Sequence, residues 1–139
     1  MSDPPDANVV EAARWLRQAI EHLSVARWDG QGEFWAAACF QAQQSAELAL
    51  KAVLIHQGER SVMTHGVVGL VKRVSKYHAE LAALAAQARR LDRYYIPTRY
   101  PNGLASGTAA ENFDDEDFQM AVDAATEVIE SARRIVEQA

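Results

Sequence analysis

At 139 residues with a formal net charge of −5, the chain is long enough for one domain with a continuous core. It is too acidic to coat nucleic acid by bulk electrostatics, which leaves room only for a local basic site. Its composition is that of a soluble globular protein expected in the cytoplasm, and a single cysteine excludes a disulfide scaffold and cysteine-based metal centres.

Residues 1–7 open with Met1-Ser-Asp-Pro-Pro-Asp6, which is acidic, proline-bearing and without the basic start and apolar block of a secretory signal. They are expected to form a short disordered tail, and residues 8–139 a single domain. From Asn8, a good N-cap with Glu11 placed to reach back to it, Val9, Ala13, Leu16, Ile20 and Leu23 recur at steps of three and four. This predicts a first helix, stopped by Asp29-Gly30-Gln31-Gly32. Between Phe34 and Ile55, 16 of 22 residues are apolar and many are alanine, so a second helix should be covered on most sides and lie centrally. Cys39 falls in this run and reads as a small buried hydrophobe. Gly58 supplies a stop, and Thr64 can cap a third helix carrying Val67, Leu70, Val71 and Val74. A fourth helix over 78–95 is predicted by the spacing of Leu81, Leu84, Ala88, Leu91 and Tyr95. After an irregular segment from Ile96 to Phe113, Asp114 caps a last helix whose stripe is Phe118, Val122, Ala125, Ile129, Ala132 and Val136. No alternating β pattern and no run near the roughly 20 apolar residues of a membrane span occurs. The fold class is therefore all-α, an antiparallel four- to five-helix up-and-down bundle.

Three groups of residues invite a chemical reading. Leu91-Asp-Arg-Tyr-Tyr-Ile-Pro-Thr-Arg-Tyr-Pro-Asn-Gly103 ends a helical pattern with tyrosines and arginines set between prolines, which stiffen the chain. Arg93, Arg99, Tyr94, Tyr95 and Tyr100 either meet phosphates, carboxylates or stacked bases or pin the loop to its own domain. On the second helix Gln43, Glu47 and Lys51, bordered by Gln44, form a narrow polar seam at steps of four. A stabilising pair on a partly exposed face is the plainer reading, and a binding or dimer contact the sharper one. His65 stands at the start of the third helix, where amides attract anions or a local hydrogen bond forms. The histidines, His22, His56, His65 and His78, lack the helical spacing of a zinc site, and the acids from Asp114 to Asp117 suit a helix dipole better than a metal. No metal and no cofactor is expected.

The first helix, the block from Ala38 to Ala52 (Ala-Cys-Phe-Gln-Ala-Gln-Gln-Ser-Ala-Glu-Leu-Ala-Leu-Lys-Ala), Thr64-His-Gly66 and Tyr94-Tyr-Ile-Pro-Thr-Arg-Tyr-Pro101 together resemble the HEPN domain, a helical family of higher eukaryotes and prokaryotes named for nucleotide binding. The resemblance runs from Val9 to Val136. It implies a bundle that usually dimerises, in a prokaryotic protein often encoded beside a small nucleotidyltransferase and sometimes one half of a toxin–antitoxin pair. Many members are metal-independent ribonucleases that place an arginine, then four to six residues, then a histidine near the start of the last helix. Here no histidine follows Arg99, so that catalytic pair is missing. The expectation is a non-catalytic homodimer that binds a nucleotide or RNA, a nucleotidyltransferase partner, or both, through Arg93, Tyr94, Tyr95, Arg99, Tyr100 and His65. Two alternatives stand beside it. One is a ribonuclease using Arg73 and His78, which have the spacing but fall between the third and fourth helices. The other is a structural interaction module whose aromatic loop merely braces the bundle.

Overall fold

In the computed structural model the described residues are 6–60, 62–63 and 65–138, and among them lie six α-helices and no strand. These are α1 (Ala7–Gln31), α2 (Trp35–His56), α3 (Val67–Val74), α4 (Ala85–Asp92), α5 (Ala109–Asn112) and α6 (Asp115–Val136), with 3-10 turns at Ala79–Leu84 and Pro101–Gly103. The expected helical bundle is thus the fold. Helix α2 is its axis and touches α1, α3, α4, α5 and α6. The reason lies in side-chain size: Ala38, Ala42, Ala46, Ala49 and Ala52 are fully buried, so flanking helices approach its backbone closely.

The same economy reverses part of the expected face of α1. Val9 is exposed and Ala13 and Ile20 are only half-buried; the buried line is Ala12, Leu16, Ala19, Leu23, Ala26 and Gly30. Small residues alternating with two leucines at steps of four and three fit against an alanine-rich neighbour, while Val9 and Ile20 lie off the seam. Gly30 is inside the helix rather than a stop, because the Phe118 ring lies against it. A Cβ there would collide with the edge of that ring. The ring also meets Trp35 at a centroid distance of 5.6 Å, tying α6 to the α1–α2 corner. The chain turns at Gly32–Phe34, with Glu33 at a left-handed φ of 65°.

The caps differ as well. Asp6, not Asn8, caps α1 and accepts from the Asn8 amide at 2.7 Å, so the helix already includes Ala7, while Glu11 pairs with Arg14 and Trp15. Most of the expected tail, residues 1–5, and the Thr64 cap lie outside the described residues. Gly66 precedes α3, whose first two amides donate to one distant carboxylate: Val67 N to Asp92 Oδ1 at 2.7 Å and Val68 N to Asp92 Oδ2 at 3.0 Å. Gly58 ends α2 as expected, at φ 103°. The single helix expected over 78–95 is a 3-10 turn followed by α4. Leu81, Leu84, Ala88 and Leu91 are buried as expected, but α4 ends at Asp92 in a tight turn in which the Tyr94 amide donates to the Leu91 carbonyl, so Tyr94 is buried where Tyr95 was expected. Asp114 caps α6 as expected, in a reciprocal capping box with Asp117.

Candidate functional site

The residues expected on the aromatic loop separate into anchors and a displayed group. Tyr94 is in the core, edge-on to Phe113 at 6.1 Å; burial pushes its hydroxyl above the usual tyrosine value, with Arg90 pulling the other way. Thr98 Oγ1 donates to the Tyr94 carbonyl and fixes the turn. Tyr94 therefore anchors the loop and is not on its surface. Arg99 is exposed, and its guanidinium carbon lies 4.3 Å from the Tyr95 ring centre and 5.0 Å from those of both Phe40 and Tyr100. Its Nε donates to the Tyr95 carbonyl at 2.9 Å, and among the described residues no carboxylate pairs with it. Three aromatic faces thus hold a charged plane at the surface. Phe40 is a member of this cluster that the sequence reading missed. The signal was a large ring on an otherwise alanine-rich run.

The segment that carries this arginine is positively charged. Arg89, Arg90, Arg93 and Arg99 lie between Ala85 and Gly103, a stretch with one acid, Asp92. That acid is spent on the amides of α3. Arg93 is exposed, and Tyr100, next to Arg99 in sequence, is half-exposed. This segment is therefore basic within a chain whose net charge is −5.

The seam on α2 is buried rather than partly exposed. Gln43, Glu47 and Lys51 are at most 5% accessible. The residues just before α3 cover it: Gln43 Nε2 donates to the His65 carbonyl at 3.3 Å, and Gln44 Nε2 to Gln43 Oε1 at 2.7 Å. Lys51 Nζ lies 3.1 Å from Glu47 Oε2, with His65 Nδ1 at 3.5 Å from the same oxygen. The structure thus joins His65 to the seam, with its ring half in solvent.

Arg73 and His78 are held by different partners. Arg73 pairs with Glu59, which also accepts from the Tyr77 hydroxyl at 2.8 Å, a bond that raises the tyrosine's pKa. His78 Nε2 lies 2.6 Å from the Gln57 side-chain nitrogen. Cys39 is fully buried and its thiol is pushed up to about 12, by burial first and then by the charges of Asp117 and Asp114, which removes it as a nucleophile at neutral pH. Among the described residues no three His, Cys, Asp or Glu side chains are grouped to hold a metal ion, and no helix is long and apolar enough to cross a membrane.

Comparison with known proteins agrees with this architecture. The family model for the HEPN domain matches residues 12–135. TT1696 from Thermus thermophilus superposes with a TM-score of 0.83 at 32% identity, over 88% of this chain and 96% of that one. ST0689, an archaeal HEPN homologue, gives a TM-score of 0.75 at 27% identity, over 90% and 97%. Human sacsin is 33% identical over 100 residues, which are 70% of this chain and 2% of sacsin.

Proposed function

Since the chain belongs to the HEPN domain family, we propose that it is a non-catalytic, dimerising module that binds an anionic ligand through Arg99 and Arg93. The ligand is a nucleotide or an acidic face of a nucleotidyltransferase partner. The observation that carries this reading is the state of Arg99: exposed, held by three rings and matched by no carboxylate among the described residues. A guanidinium fixed in place loses little freedom when it meets a phosphate or carboxylate, and its planar fork suits both. Tyr100 offers a neighbouring face for a base. The absence of any histidine after Arg99 supports binding over cleavage, as does the engagement of Arg73 by Glu59 and of His78 by Gln57.

The test is thermal unfolding of the wild type and Arg99→Ala with ATP, other nucleotides and short single-stranded RNA. A ligand that binds only the folded state stabilises it by about 2.7 kcal/mol at a hundredfold excess over Kd. The expected result is a concentration-dependent rise in Tm for the wild type that Arg99→Ala lacks. A response to none of these compounds would remove the nucleotide half of the reading, and co-purification would then test the protein partner. Equal loss of Tm with and without ATP in Arg99→Ala would mark the loop as a brace. Incubation with single-stranded RNA in the presence of a chelator should leave the RNA intact; cleavage abolished by His78→Ala would install the ribonuclease reading instead.

A further inference from the structure

We propose that a second binding site lies where the C-terminal ends of α2 and α6 meet the 3-10 turn Ala79–Leu84, and that it takes a small monocarboxylate with an apolar body. The site is a cleft of about 730 Å³ bordered by His56, Glu80, Ser131 and Arg134. It is distinct from the arginine loop: Phe40, under Arg99, and His56 are sixteen residues apart on α2, about 24 Å at 1.5 Å per residue.

The polar side chains of His56, Ser131 and Arg134 border it. His56 Nδ1 is buried and has no hydrogen-bond partner. A buried N–H without an acceptor costs more than an idle lone pair, which favours the tautomer that carries the hydrogen on Nε2, the ring's other nitrogen. His56 then offers an N–H. Arg134 is exposed and has no carboxylate partner among the described residues; its Nη2 donates to Ser131 Oγ at 3.3 Å. Ser131 accepts that bond and keeps its own hydroxyl hydrogen to donate. An imidazole N–H, a guanidinium and a hydroxyl form a set for one oxyanion.

The remaining walls define the rest of the molecule. Leu81 and Leu84 are nearly inaccessible and Ile135 is half-buried, so they supply an apolar floor. The Glu80 carboxylate, 69% accessible, stands at the rim and lies 3.9 Å from His78 Nδ1. Arg134 is the permanent cation that meets one negative charge, and the Glu80 carboxylate at the rim opposes a second. A carboxylate on an aliphatic or aromatic body meets these conditions, and a dianionic phosphate does not.

Sodium hexanoate titrated into ¹⁵N-labelled full-length protein tests this, with hexylamine and hexyl phosphate as counter-probes. Hexanoate should shift the amides of Leu81, Leu84 and Ile135 and the His56 ring signals saturably. Arg134→Gln should weaken it about tenfold, the worth of one charge-assisted hydrogen bond. Arg99→Ala should leave it unchanged, so this proposal and the reading of the arginine loop fail independently. Equal shifts with hexylamine, hexanoate binding indifferent to Arg134→Gln, tighter binding of hexyl phosphate, or no saturable shift at millimolar hexanoate would each overturn the assignment.

Discussion

Cys39 shows how much a single residue's surroundings decide. Its thiol is fully inaccessible, and burial with the nearby Asp117 and Asp114 carboxylates pushes it from an ordinary value near 9 to about 12. Because the folded state binds this proton more tightly than the unfolded chain, the linked stability is complete below about pH 9 and is lost as pH rises toward 12. Cys39→Ala removes both the sulfur's packing and this titration. At pH 7 it should cost about 1 kcal/mol for the vacated volume, and the gap in Tm between wild type and variant should narrow as pH is raised above 9. Iodoacetamide at pH 8 should label the native protein only at the rate of its opening, and the urea-unfolded protein at once. Rapid labelling of the native state would contradict this burial. The role of Cys39 was legible from its alanine- and phenylalanine-rich neighbours. That of Arg99 was legible only in part, since arginine among tyrosines fits an anchor and a ligand contact equally, and the structure shows it stacked yet exposed.

Among the elements, α3 depends on a residue outside itself. It has eight residues and no side-chain cap of its own, and its first amides use the carboxylate of Asp92 at the end of α4. A short helix gains little from propensity alone, so the bond across elements both starts α3 and clamps α4 to it. Asp92→Ala leaves two amides without an acceptor and should cost about 1–2 kcal/mol, with Asp92→Asn falling between it and the wild type. Hydrogen exchange should show the loss first at Val67 and Val68, ahead of the global unfolding seen in α2. Equal protection in wild type and Asp92→Ala would mean that packing alone holds α3. The long helices α1, α2 and α6 were readable because their apolar period persists over many turns. The Asp92 cap was not, because a donor and acceptor 25 residues apart leave no local signature. The last position of the fourth helix's stripe failed for another reason: α4 ends at Asp92 in a turn that advances three residues where the α count advances 3.6, and Tyr94 took the place read for Tyr95.

For the whole molecule the decisive feature is that its central helix carries an ion pair into the interior. Glu47 followed by Lys51 is the spacing of an ordinary surface pair, and nothing local distinguishes the two cases. Burial is imposed when the residues before α3 close over α2, with Gln43 bonded to the His65 carbonyl. Nine-tenths or more of each charged side chain is withdrawn from water, and one Glu47 oxygen has no hydrogen-bond partner among the described residues. The pair therefore contributes little net stability, yet each member is costly to leave alone. Lys51→Met strands a buried carboxylate and should lower the unfolding free energy by about 3–5 kcal/mol, whereas Glu47→Leu with Lys51→Met should return to within about 1–2 kcal/mol of the wild type. Urea unfolding of both single variants and the double variant closes the cycle and gives the coupling directly. A loss below about 1 kcal/mol for Lys51→Met would match a solvated surface pair and would mean that the cover over α2 opens readily in solution. A large loss rescued by the double variant would leave register as the purpose of the pair. Neighbouring alanines would let helices slide along α2, and a buried charge pair with one fixed covering segment selects a single alignment.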